Sequence, residues 1–380
     1  MNREKIGDNI LSYAAFLQIA VLMLQELLIS SNIVTYESFE KVSLVLSAIP
    51  MVIAAFITLK RNFILFLFTY LIFVSLILIT LIVFPNNEKY VKDELFYLFF
   101  INIPCFLCLA TIQDIYILKK VMLKLSYVIF ILGIIYVYFL WVGMINFLSY
   151  SMTLSYYLLL PALIFINHRG LLFSILFLFI CLIMLMLGSR GALVTALVYA
   201  LLLLLFDKKK RITSLIFIIS LIVLSGSLII SLQSIADMIG VNSRTLRLIL
   251  EGDIAYDSDR LELYSIIWKS ILTNPIKGYG LFGDRVILDG VYTHNFILEL
   301  LNNFGLILGS GLIFILFYKL IRIIYRSDVE NKKLLLLFFC YCLIPLMFSS
   351  SYLKDPRFGI LIGAILYYEE SIKTGEFIGK

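Results

Sequence analysis

Apolar runs of about 16 to 25 residues recur from residue 10 almost to the C-terminus, and they limit this chain's fold more than any other feature. A hydrocarbon core about 30 Å thick is crossed by about 20 helical residues, and within it each backbone N–H and C=O must find its partner inside the protein. Such runs therefore read as membrane-spanning helices. Twelve are expected, near residues 10–30, 42–59, 63–84, 95–112, 121–143, 152–166, 171–187, 191–206, 212–232, 304–321, 334–349 and 357–368, the last being the shortest. With 62% of 380 residues hydrophobic, 15% charged and a mean hydropathy of +1.03, the chain has more apolar surface than a soluble domain can bury. The expected fold class is all-α: a polytopic integral membrane protein of about twelve transmembrane helices, with one long extracytoplasmic loop containing amphipathic helices.

The head MNREK followed by an apolar run has the outline of a signal peptide. Gln18, Gln25 and Glu26 interrupt the run and no small-residue cleavage site follows, so it reads as a retained span. The five cysteines (105, 108, 181, 340 and 342) all fall in expected spans, which excludes a disulfide-stapled secreted domain. CFLC at 105–108 has metal or redox spacing, but apolar residues surround it and no histidine lies nearby, so packing is the reading.

Charge sets the expected threading. With the N-terminus cytoplasmic, the inner segments hold 19 of the 31 Lys and Arg and the short outer ones hold six, a bias that places the one long loop outside. The net charge of +6 is met by inner loops facing anionic lipid, and no nucleic-acid partner is implied. Residues 1–232 thus carry nine spans, 233–303 the extracytoplasmic loop, and 304–380 the last three. Glycines in GLILG (305–309) and GILIG (359–363) suit close helix approach, and Pro50, Pro104, Pro161 and Pro345 suit kinks.

The loop gathers acids, arginines and glycines. DSDRLELYSIIWKSILTNP reads as a helix over about 259–273, with Asp259 and Glu262 as a capping box and Pro275 as the stop. Leu261, Tyr264, Ile267, Trp268, Ile271 and Leu272 give it an apolar face suited to lying flat on the membrane, with Arg260 at headgroup depth. KGYGLFG (277–283) follows as a glycine turn, and THNFILELLNNFG (293–305) starts a helix entering the membrane with His294 at its mouth. GSRG (188–191) puts Arg190 in a very short outer connection.

Arg190, Arg260 and His294 can converge on one outer site. A guanidinium fork binds phosphate bidentately and keeps its charge, so two arginines could hold a pyrophosphate without a metal, and no carboxylate and histidine cluster with metal-ligand spacing is present. Simpler readings stand beside this one: Arg190 as a snorkelling helix anchor, Arg260 paired with nearby acids, His294 as a structural helix start. Arg244, Arg247 and Arg285 read as solvated surface, Glu26 as reaching the interface, and His168 as part of a polar turn. GYG lacks a preceding Thr-Val and stands beside Lys277, which argues against a potassium filter. A flippase would place ionisable groups near mid-membrane, and these spans are almost free of them.

GSRGA, DRLELYSIIW, NPIKGYGLFGD and THNFILELLNNFGLILG, in that order between 188 and 311, resemble the successive blocks of the bacterial O-antigen ligases and O-antigen polymerases (Wzy-type), which are membrane glycosyltransferases. The resemblance implies catalysis at the outer face of the cytoplasmic membrane on undecaprenyl-pyrophosphate-linked glycans as donor and acceptor, with membrane lipid around it and a chain-length regulator as a further partner. It implies no cofactor. Arg190, Arg260 and Asn295 would bind substrate, the two arginines holding the pyrophosphate, and His294 would orient or deprotonate the attacking sugar hydroxyl or assist the leaving group. Modest length and a loop of only about 60 residues favour polymerase over ligase.

Overall fold

The computed structural model describes residues 3–145, 152–168, 170–187, 189–206 and 260–374, which are helical throughout their regular parts and contain no strand. The first helices are α1 (Arg3–Ser30), α2 (Tyr36–Arg61), α3 (Phe63–Val83), α4 (Glu88–Tyr97), α5 (Ile103–Thr111), α6 (Ile115–Trp141), α7 (Met152–Asn167), α8 (Leu171–Met186) and α9 (Arg190–Phe206). Then come α10 (Arg260–Thr273), α11 (Gly283–Ile287), α12 (Phe296–Arg326), α13 (Val329–Phe338) and α14 (Pro356–Lys373).

Among the described residues six helices are long and apolar enough to cross a membrane: Glu4–Ser30, Lys41–Arg61, Phe63–Val83, Pro85–Thr111, Ile115–Trp141 and Phe296–Arg326. Thr153–Asn167, Leu171–Met186 and Arg190–Phe206 are apolar but shorter. Of the twelve expected spans, 212–232 lies outside the described residues, and 334–349 and 357–368, though largely helical, are not among these nine. Along α3 the side chains of Phe68, Ile72, Ile79 and Ile82 are exposed, a contiguous apolar surface that suits lipid rather than water. All five cysteines are buried.

The chain forms two compact units, Met1–Pro50 with Asp114–Tyr256, and Met51–Gln113 with Asp257–Lys380. In the first, α1 packs along α6 and α7, and α7 packs on α8 and α9. In the second, α5 packs along α14, where the backbones of Gly359 and Gly363 meet the carbonyls of Asn102 and Phe106 so closely that a methyl group would collide with them. GILIG therefore serves helix approach, as its small residues suggest. GLILG does something else: Gly309 packs against Leu301 of its own helix, and Gly305 breaks that helix.

Two π-turns, Leu98–Asn102 and Phe339–Leu343, each run into a proline two residues on, Pro104 and Pro345. A proline nitrogen cannot close the i→i−4 bond and its ring crowds the preceding turn, so the ladder widens there. Pro50 and Pro161 sit inside α2 and α7, which continue through them.

The break in α12 positions everything that follows. Gly305 has φ 75° and ψ 173°, outside helical space, so the carbonyls before it lose their partners in the same helix. The glycine turn supplies replacements: the N–H groups of Tyr279 and Gly280 donate to the Asn302 and Asn303 carbonyls at 2.8 and 3.1 Å, and Leu306 N–H donates to the Pro275 carbonyl at 2.6 Å. Contact is so tight that a Cβ on Gly305 would lie 2.6 Å from both the Pro275 and Ile276 oxygens. An alanine there adds backbone strain of about 1–3 kcal/mol and drives the turn away. Gly305→Ala is expected to lower the unfolding temperature of the detergent-purified protein by several degrees, whereas Gly311→Ala, whose Cβ would meet open space, leaves it unchanged. Equal melting curves for the two variants would contradict this account of the break.

Candidate active site

Helix α10 opens with Arg260 and buries Ile267 and Ile271 against α12 together with Leu288 and Leu301. The six-residue apolar face expected for a surface helix is thus divided. Ile267 and Ile271 hold α10 to the protein, while Leu261, Trp268 and Leu272 remain exposed. Trimming an isoleucine from such a core costs about 2–5 kcal/mol, enough to fix the direction in which α10 presents Arg260. Asp259 lies outside the described residues.

The turn after α10 is tied on both sides. Besides its bonds to the α12 break, Leu281 N–H donates to Thr80 Oγ1 at 3.2 Å, and the Asn87 amide donates to the Tyr279 and Leu281 carbonyls at 2.8 and 2.9 Å. It delivers the chain to α11, where Asp284 and Arg285 lie almost wholly buried. Arg285 Nη1 donates to Asp284 Oδ1 at 3.0 Å and to Glu299 Oε1 at 3.4 Å. Burial opposes the Arg285 charge, but Asp284, Glu299 and Glu94 outweigh it and raise its pKa, so the guanidinium stays charged. The sequence suggests solvated surface for Arg285; the structure makes it the centre of a buried ion network instead. Glu299 also accepts from the Ser351 hydroxyl and, at 3.4 Å, from Tyr352 N–H. Leaving one charge of such a network unpaired costs about 3–5 kcal/mol.

Beyond this network the chain rises to His294. Its backbone is left-handed (φ 57°), as are those of Phe282 and Asp289, so three of the few non-glycine residues in this region of backbone space fall within one short stretch. The imidazole lies against the Tyr292 ring, centroids 3.9 Å apart, and the Tyr264 hydroxyl donates to the His294 carbonyl at 3.4 Å. Nδ1 is buried and finds no hydrogen-bond partner among the described residues. Burial, and then the positive charge of Arg260, push the pKa down to about 4. Protonation would place a positive charge in a partly buried site within the field of the Arg260 guanidinium, so the ring is neutral at neutral pH.

Asn295 caps α12: its Oδ1 accepts from the N–H groups of Ile297 and Leu298 at 3.1 Å each. One carbonyl oxygen is thereby committed to the helix start. Arg260, His294 and Asn295 thus all belong to the second unit, with Arg260 near enough to act on the imidazole. Arg190 begins α9 in the first unit, is half-buried, and follows Ser189, whose hydroxyl accepts from Ala192 N–H. Arg244 and Arg247 lie outside the described residues.

Residues 175–313 match the O-antigen ligase family. No curated protein and no solved structure matches the chain. The matching segment begins within α8 and ends past the break in α12, so it takes in Arg190, α10, the glycine turn, the Asp284–Arg285 pair and His294. It supports the O-antigen ligase and polymerase type of function in general. The sequence alone does not single out Asp284, Thr293 and Glu299, although one signal is there: Glu299, Asn302 and Asn303 stand in an otherwise apolar run, and an acid in such a place needs a cationic partner.

The neutral imidazole has a measurable consequence. Since folding lowers its pKa from 6.5 to about 4, its contribution to stability is complete above 6.5 and is lost as pH falls from there towards 4. In a His168→Gln protein, which retains His294 as the single histidine of the two, the imidazole resonance should stay that of the neutral ring down to about pH 5. A midpoint near 6.5 would contradict the described environment.

Proposed function

We propose that the protein polymerises undecaprenyl-pyrophosphate-linked oligosaccharide repeat units into O-antigen or capsular polysaccharide at the outer face of the bacterial cytoplasmic membrane. The observation that carries this reading is a neutral histidine next to an arginine at the start of a broken helix, inside a segment matching the O-antigen ligase family. The N-terminus is cytoplasmic and the segment around residues 233–303 faces outward, as the distribution of Lys and Arg supports.

Arg260 holds the pyrophosphate of the donor and Asn295 lines the same site; Arg190 is a second pyrophosphate ligand only as the sequence resemblance implies. Each charge-assisted hydrogen bond contributes about 1.5–3 kcal/mol, and that contribution grows as negative charge builds on the leaving pyrophosphate. His294 Nε2 takes the proton of the attacking sugar hydroxyl as the glycosidic bond to the pyrophosphate breaks and the new one forms. Donor binding itself prepares the base: pairing of pyrophosphate with Arg260 cancels the positive charge that helps to hold the imidazole pKa down. The acid limb of the pH profile should therefore lie at higher pH for kcat than for kcat/KM.

The second reading is an O-antigen ligase that transfers the glycan to lipid A core or another terminal acceptor, and the family match favours it as much as the first. A flippase has no such support. Purified protein given one lipid-linked repeat unit as sole substrate decides between them. A ladder of lipid-linked products is expected; reaction only after lipid A core is added would make it a ligase, and no reaction with either would overturn the glycosyltransferase reading. Arg190→Ala, Arg260→Ala and His294→Ala should each abolish the ladder while the protein inserts normally, and Lys at either arginine should restore it only in part, because an ammonium lacks the bidentate fork. Ladders of wild-type length in all three alanine variants would remove the site as assigned.

A further inference from the structure

We infer that Asp284 is a positioning residue for His294, acting through Thr293. One carboxylate oxygen, Asp284 Oδ2, accepts both the backbone N–H and the side-chain hydroxyl of Thr293, each at 3.0 Å, and both residues are fully buried. Thr293 immediately precedes His294, whose φ of 57° is a conformation that residues with a side chain seldom adopt. A two-point clamp on the preceding residue fixes the peptide that enters this turn, and with it the direction of the imidazole.

The clamp is itself held. Asp284 Oδ1 receives Arg285 Nη1, and Glu299, one turn inside α12, receives the same nitrogen, so the arginine ties α11 to the helix that His294 precedes. The guanidinium lies 4.7 Å from the Phe282 ring and 6.0 Å from that of Tyr292. Tyr292 in turn lies against the imidazole at 3.9 Å. The ring is therefore located from two directions, by the backbone through Thr293 and by stacking through Tyr292, and both routes begin at the Asp284–Arg285 pair. Neither acid of this network is needed for proton transfer at Nε2; the role is geometric. Its catalytic meaning rests on the glycosyl-transfer role given to His294, but the positioning itself can be read without turnover.

Asp284→Ala would also strip Arg285 of a buried partner and endanger the fold, so the test falls on Thr293. Full-length His168→Gln protein in detergent, with labelled histidine, reports His294 alone, and the Tyr292 ring current marks its resonance. Thr293→Ser keeps the hydroxyl and should keep the resonance. Thr293→Val keeps the shape and loses the bond, and should move the resonance away from the stacked position. In the reconstituted reaction Thr293→Val should lower kcat about tenfold or more with KM changed less than about twofold, and Thr293→Ser should restore it. An unmoved resonance in Thr293→Val, or equal displacement in the Val and Ser variants, would overturn the inference. Wild-type turnover by His294→Ala would instead overturn the catalytic reading, while a displaced resonance confined to Thr293→Val would still establish the positioning.

Discussion

A helix that breaks among apolar residues leaves carbonyl groups that water cannot reach, and the fold around Gly305 is the answer to that requirement. Asn302 and Asn303 lose their helical donors where φ turns positive, and the N–H groups of Tyr279 and Gly280 take their place. Because the replacement donors come from a turn rather than a neighbouring helix, the turn is drawn against the break, with Gly278 so close that a Cβ would lie 2.5 Å from Gly305 N. That contact, with the burial of Ile267 and Ile271 and the Arg285–Glu299 pair, places α10 before the turn and α11 after it. His294 then enters α12 from a position already decided.

Electrostatics divides the same region into two parts. Deep within it, Arg285 is balanced by Asp284 and Glu299, and the network ends in hydroxyl and backbone donors from Ser351 and Tyr352. Towards the substrate, Arg260 is half-buried, and the imidazole beside it is kept neutral by burial and by that charge. The first part fixes shape. On the proposed reading the second part acts: a fixed cation receives an anionic leaving group while a neutral base waits for its proton, and the arrival of the anion strengthens the base.

Much of this was legible in the sequence because lipid imposes simple rules. Apolar length announced the helices, and the stretch before Pro275 carries the helix now seen from Arg260 to Thr273. His294, Asn295 and Arg260 stood out as polar residues at helix starts, which is where the structure has them. Other features were hidden for physical reasons. GLILG reads as a helix-packing motif, and only the three-dimensional path of residues 275–280 shows that its first glycine ends one helical segment instead. Arg285 looks like any loop arginine until Glu299, 14 residues on, is folded back against it. Burial of a charge depends on a partner distant in sequence, and periodicity carries no information about such pairs. The face of α10 was read as one surface because spacing gives the stripe but not how much of it another helix will cover.

On the proposed reading the His294 imidazole moves the proton in glycosyl transfer while a fixed arginine receives the pyrophosphate. Chemical rescue tests it most directly. The His294→Gly protein, purified and supplied with the lipid-linked repeat unit, should be inactive, and added imidazole should restore product formation in proportion to its concentration, with no such response in Arg260→Ala. Wild-type product formation by the His294→Gly protein without imidazole would contradict the claim.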